Sequence, residues 1–275
     1  MLTNFETNKV YFAKGLSSSA YRQAADTLVS AFENINVQWE LIPCTDSPLH
    51  IWVRDYMPVQ VRDNEFVRFN YCPDYLREYP EYKPDTTAIL SELDLTVIDT
   101  NLVIDGGNVI SCGEKVIMTD KIFRENPHVA RTKLVDSLTQ LLEADIVLIP
   151  EDAYEEYGHA DGMVRYMGDD NVLLNNYCDF DKALRKKLLA ALKPHFNIIE
   201  LHYGSFTELS WAYLNFLHVG QQIFVPMVED KLDETALKQI SEAYPECECH
   251  PVFNCESIVN EGGALNCCTW NILMN

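Results

Sequence analysis

Positive charge is scarce in this sequence. Its 275 residues hold 21 Lys and Arg against 42 Asp and Glu, a formal charge of −21. Proteins that grip a nucleic-acid backbone neutralise phosphates with clustered Lys and Arg, so no nucleic-acid partner is expected. No apolar run reaches the roughly 20 residues of a membrane helix, which argues against a membrane partner. The first residues, MLTNFETNKVYF, lack the basic segment and apolar stretch of a signal peptide, and a cytoplasmic protein is expected. No linker, low-complexity tract or composition break divides the chain, so residues 1–275 read as a single domain. Zinc-type ligand spacing is also missing. Cys247, Cys249 and His250 form a CECH run, but no second ligand pair accompanies it, and no metal site is expected.

What the chain does have is acid, apolar bulk and cysteine. Hydrophobic residues make up 47% and aromatics 11%, enough for a sizeable core. The nine cysteines are unevenly spaced and read as reduced, mostly buried thiols. The excess of carboxylates repels anions and attracts small or peptidic cations. One acidic run, Glu151, Asp152, Glu155 and Glu156, reads as a solvated loop, with a cation-attracting lid as the lesser alternative.

Recurrence at long period is the strongest internal signal. Four hairpin patterns occupy 58–71, 108–120, 161–177 and 213–227, each with β-branched and aromatic runs flanking turn residues. Their turns, near 63, 113, 168 and 220, are 50, 55 and 52 residues apart. After each hairpin comes a helical pattern (85–93, 128–143, 180–192 and 232–243, with another at 18–34) and then a short apolar strand (37–42, 95–98, 145–149, 197–201, 249–253). The missing fifth hairpin can be assembled from CCTWNIL near the C-terminus and KVYFA near the N-terminus. The fold expected is therefore α/β: five ββαβ units in a ring, closed by pairing of the N- and C-terminal strands, which protects sheet edges as a propeller does. An open α/β sheet with extra hairpins is the alternative.

The chemistry-bearing residues recur in phase. IWVRDYMP, IDGGN, YGHADG, WAYLNF and NEGGALNCC precede successive hairpins and carry Asp55, Asp105, His159 with Asp161, Asn215, and Cys267. The steps from 55 to 105, 159, 215 and 267 are 50, 54, 56 and 52 residues. In a closed ring equivalent positions meet near the axis, so these side chains are expected to share one pocket. A cysteine thiolate is a nucleophile when a neighbour lowers its pKa, and histidine is the usual acid–base partner. Paired carboxylates match a guanidinium, whose planar fork of N–H donors they bind two at a time. Together the set points to attack on a guanidinium carbon. Each residue also has a plainer reading: turn capping or an arginine partner for Asp55 and Asp161, turn chemistry for Asp105, backbone satisfaction for Asn215, core packing for Trp52. Cys268, facing away if this is a strand, reads as core.

WVRDYMP, DGGN followed by TD and NP, GHADG and NEGGALNCC resemble, in that order, the signatures of the agmatine deiminase and bacterial peptidylarginine deiminase family. That family belongs to the guanidino-group-modifying superfamily, whose fold is the five-bladed α/β propeller, or pentein. The resemblance implies Cys267 as nucleophile, His159 as acid and base, and Asp161 and Asp55 as the carboxylates gripping the guanidinium. It implies pocket positions for Trp52, Asp105 and Asn215. Asn266 stands where the family commonly has His, and His50 where it often has an acid. The implied reaction releases ammonia from agmatine or an arginine-derived compound through a covalent thiouronium and leaves a ureido product, with no metal or organic cofactor. The partner is a small cationic guanidino substrate or an arginine-containing peptide, with a homo-oligomer left open. Two rivals stand beside this hydrolase: an amidinotransferase using the same intermediate, and a binding protein that has lost turnover.

Overall fold

In a computed structural model, residues 1–153 and 157–274 are described. The described residues hold fifteen strands. In chain order they are β1 (Lys9–Ala13), β2 (Gln38–Ile42), β3 (Val59–Arg62), β4 (Glu65–Asn70), β5 (Thr96–Val103), β6 (Ile110–Cys112), β7 (Lys115–Thr119), β8 (Asp145–Ile149), β9 (Val164–Gly168), β10 (Asn171–Leu174), β11 (Asn197–Glu200), β12 (Leu217–Val219), β13 (Gln222–Pro226), β14 (Glu248–Val252) and β15 (Thr269–Ile272).

They form five small open sheets, ordered β3-β4-β5, β6-β7-β8, β9-β10-β11, β12-β13-β14 and β15-β1-β2. All five share one pattern: the first strand runs antiparallel to the middle one, and the third runs parallel to it. The antiparallel pair needs only a tight turn, and in two of them Gly113 and Gly220 supply a positive φ that costs glycine little. The parallel pair needs a crossover, which is a helix each time: Arg22–Asn34, Thr86–Ser91, Arg131–Leu142, Lys182–Leu192 and Asp233–Ala243. The longer ones turn an apolar stripe inward at four-residue spacing, as with Leu134, Leu138 and Leu142, or Leu184, Leu188 and Leu192, all buried. Glu143 ends its helix in the left-handed conformation at φ 52°, a usual helix stop.

The expected hairpins, helices and third strands are all present, with ends shifted by a few residues where helices begin later than the pattern suggests. The two ends of the chain meet in one sheet, with Lys9 opposite Ile272 and Phe12 opposite Thr269. Trp270 closes this seam. It is buried, stacks at a tilt with Tyr11 and Phe66 at 5.3 and 5.8 Å, and donates its indole N–H to the Pro58 carbonyl at 2.9 Å. Across the same sheet's outer helix, Phe32 meets Phe224 edge to face at 4.9 Å. Neighbouring units are thus joined by core contacts. Among the described residues no helix is long and apolar enough to cross a membrane, and all nine cysteines are free thiols.

Removing the seam's largest side chain tests how much the joined ends matter. Trp270→Ala is expected to destabilise the protein by about 3–5 kcal/mol, the usual cost of emptying a large aromatic site, measured by urea unfolding. A loss below about 1 kcal/mol would show that the terminal strands are dispensable.

Candidate active site

Each candidate residue sits where the chain enters the first strand of a sheet. Asp55 lies on the short helix Val53–Tyr56 before β3, and Asp105 precedes the Gly106–Asn108 turn before β6. His159 and Asp161 lie in the approach to β9, and Asn215 ends the 3-10 turn Ser210–Leu214 before β12. Cys267 lies in the turn before β15. The backbone there is a turn and not a strand, which corrects the strand argument for Cys268. That thiol is nonetheless fully buried in the core.

Five of these side chains, Asp55, His159, Asp161, Asn215 and Cys267, line one cavity of about 710 Å³, and Trp52 forms part of its wall. Cys267 Sγ lies 3.2 Å from Asn215 Oδ1 and 3.5 Å from Asp161 Oδ2. The Asn215 amide oxygen also accepts the Cys267 backbone N–H at 3.3 Å. Asn266, next in the turn, donates its side-chain amide to Asp161 Oδ2 at 2.7 Å. His159 stands between two carboxylates, with Nδ1 3.6 Å from Asp55 Oδ1 and Nε2 2.8 Å from Asp105 Oδ2.

Asp105 does not reach the cavity wall. It lies behind His159, where it also accepts from the buried Lys121 ammonium and faces the Tyr75 hydroxyl at 3.4 Å. Its contacts are therefore to His159, Lys121 and Tyr75, and it is not among the residues that line the cavity. Lys121 is the residue the sequence reading missed. Its side chain is 2% exposed and packs over the Tyr75 ring at 4.7 Å. The TDK triplet at 119–121 carried no sign that its lysine points inward.

Burial and the surrounding charges set the protonation states. Burial, helped by Asp105 and Asp161, pushes Asp55 up to about 7 against the pull of His159. Burial alone would lower His159, but Asp55 and then Asp105 outweigh it and lift it to about 9. Asp105 is held below the usual carboxylate range: burial opposes this, but the His159 bond and Lys121 prevail. The Cys267 thiol is driven well above its ordinary value, first by burial and then by Asp161 and Asp55. These shifts favour a protonated thiol beside a charged imidazole.

Glycines make the close approaches possible. A Cβ on Gly107 would fall 2.7 Å from Asp55 Oδ1 and 2.8 Å from His159 Nδ1, and one on Gly263 would fall 2.2 Å from Trp52. These are the second glycine of DGGN and the second of EGGA.

The acidic run reads differently in the structure. Asp152 is buried in the cavity wall and accepts from the Tyr177 hydroxyl at 3.1 Å, while Glu151 pairs with Arg124 at 3.0 Å. Neither is a loosely solvated charge, and Glu155 and Glu156 lie outside the described residues. His250 bonds Gln222 at 2.6 Å. Outside the cavity, Cys178, Asp179 and His202 bring three metal-type ligand atoms within 4.8 Å of one another, but His202 and Asp179 already pair at 2.6 Å.

The family of Porphyromonas-type peptidyl-arginine deiminases matches residues 2–272. The chain belongs to this family. Its members are hydrolases that act on the C–N bonds of guanidino groups. An agmatine deiminase of Medicago truncatula is 24% identical over 211 residues, which span 62% of this chain and 56% of that one. The structure of the C. jejuni agmatine deiminase with substrate bound matches with a TM-score of 0.79 at 16% identity, covering 100% of this chain and 96% of the other. An amidinotransferase from Microseira wollei matches at TM-score 0.68 and 15% identity, covering 100% and 97%. At such identities the structural matches establish a shared fold, and that fold serves both deiminases and transferases.

Gly107→Ala is expected to separate Asp55 from His159 and to lower the family's characteristic activity by more than about 100-fold, since small displacements of a reacting group carry that cost. Circular dichroism should show the fold retained. An active Gly107→Ala enzyme would mean that the close approach is incidental.

Proposed function

We propose that this family member deiminates the guanidinium of a small cationic substrate, with Cys267 as nucleophile. The observation that carries the reading is the meeting of Cys267 with Asp161 and Asn215 in the same cavity as His159 and Asp55. The five like-built units are arranged as a closed five-bladed propeller, and the chain acts as one domain over 1–275. The matching strand order of all five sheets and the joined termini support this.

Asp55 and Asp161 hold the substrate guanidinium through charge-assisted N–H bonds. Its arrival places a cation beside a thiol that the same carboxylates had kept protonated; the thiol then releases its proton to solvent water and the thiolate becomes accessible. The sulfur attacks the central guanidinium carbon, forming a C–S bond and a tetrahedral adduct. One C–N bond breaks, and His159 gives its proton to the departing ammonia. The neutral imidazole then takes a proton from water. The resulting hydroxide attacks the thiouronium carbon, the C–S bond breaks, and a ureido product leaves with the thiol restored. Asp105, tied to Nε2, positions the ring and stabilises its charged form. Asn215 and Asn266 hold the nucleophile's turn.

The cavity's other charges bear on the substrate. Asp152, Glu208 and Glu261 also line it, and none of the described lining residues is Lys or Arg. A free α-carboxylate would meet only like charge there, so an agmatine-like or peptide-borne guanidine is favoured over free arginine. The agmatine deiminase activity of relatives supports the same substrate class.

Two measurements test the reading. Cys267→Ala is expected to release no ammonia from agmatine or an arginine peptide while still binding the substrate in calorimetry; full activity in this variant would dismiss the nucleophile. The pH profile follows from the site's charges. Asp55 must be ionised to bind a cation, so kcat/KM should fall as pH drops through about 7. His159 must be protonated to act as acid, so it should fall again as pH rises through about 9, giving a bell. A profile flat from pH 6 to 10 would contradict the assignment of both groups.

A further inference from the structure

A second, smaller cavity lies behind the nucleophile's turn, and its polarity is the reverse of the first. It holds about 70 Å³ and is walled by Arg54, Arg165, Ser111, Gln60, Asn266 and Asn271 among others, with no Asp or Glu. Two buried polar atoms in this wall have no hydrogen-bond partner among the described residues: Arg165 Nη2 and Ser111 Oγ. They come from different units, Ser111 on β6 and Arg165 on β9.

Arg165 is 2% exposed. One face of its guanidinium is covered by the Phe216 ring, 4.8 Å away, so its N–H donors are left to point in the plane of the group. A buried charge without a partner is strongly disfavoured, and the ring offsets only part of that cost. Asp161 acts on Arg165 through space, without a bond between them. Arg54 shares the cavity. Its own value is pushed down to about 10 by burial first and by Arg165 second. Two like charges thus face one small space that also offers a hydroxyl donor, Arg54 being bonded there to Asn271 Oδ1. The space exceeds the roughly 30 Å³ share of one water.

We infer that this cavity binds a small monovalent inorganic anion of the halide class, held by Arg165 and Ser111 with Arg54 beside them. The anion would supply the missing acceptor for both orphaned donors and relieve the repulsion between the two guanidinium groups. It would also brace the active site from behind. Arg54 donates its backbone N–H to the Cys267 carbonyl at 3.1 Å and its Nε–H to the Asn266 carbonyl at 3.3 Å. An anion that holds Arg54 in place therefore holds the turn that carries the nucleophile. The inference rests on the cavity's own donors and does not require the deiminase reading.

Bromide is the probe. Crystals grown without chloride and soaked in sodium bromide are expected to show an anomalous peak within hydrogen-bond reach of Arg165 and Ser111; waters alone in the cavity, or bromide bound only elsewhere, would overturn the inference. In solution, thermal unfolding is compared in sodium bromide and sodium gluconate at equal ionic strength. The wild-type protein is expected to gain saturable stability in bromide. Ser111→Ala, a small change that leaves the fold intact, should raise the half-saturating bromide concentration about tenfold, and Arg165→Met should abolish the response if it folds. Equal melting in the two salts, or an unaltered bromide response in Ser111→Ala, would overturn it.

Discussion

The site depends on carboxylates and a thiol brought together in one buried space. Asp161 and Asp55 bear on the Cys267 thiol in a buried space, and among the described residues lining the cavity His159 is the one that can carry a positive charge. In a medium of low effective dielectric such charges interact strongly. The thiol therefore stays protonated, and the carboxylates stay hungry for a planar cation. A guanidinium satisfies both demands at once. In the proposed mechanism, binding of the guanidinium and activation of Cys267 become a single electrostatic event.

Such a site needs a scaffold that forces like charges together, and the repeated unit supplies it. Each sheet delivers one polar loop, and each loop is short because the strand it feeds begins at once. Glycines at 107 and 263 let backbone lie against Asp55, His159 and Trp52 where a Cβ would collide. The opposing force comes from apolar burial in the five helix-covered sheets, which is non-directional and indifferent to what happens in the loops. Stability and chemistry are thus separated in space.

The Asn266–Cys267 turn divides two regions of opposite character. On one side lie carboxylates that call for a cation. On the other, Arg54 and Arg165 call for an anion. Arg54 spans the divide by holding the carbonyl oxygens of both turn residues.

Much of this could be read along the chain, because hairpin turns, helix periodicity and β-branched runs are local features and the fifty-odd-residue period repeats them. Even the split unit was legible, since CCTWNIL and KVYFA each looked like half of a hairpin. The in-phase residues Asp55, His159, Asp161, Asn215 and Cys267 were marked out by the same period. What the chain order could not reveal is which way a side chain turns once distant units pack. Lys121 and Arg165 look like ordinary surface cations in sequence and are buried in the structure. Asp105 looks like a pocket carboxylate and stands behind His159, and Asp152 looks solvated and is buried in the wall. Pattern is set by neighbours a few residues away, whereas burial of a charge is set by partners on other loops and elements, such as Asp105 for Lys121 and Tyr177 for Asp152, and only the assembled fold brings those partners together.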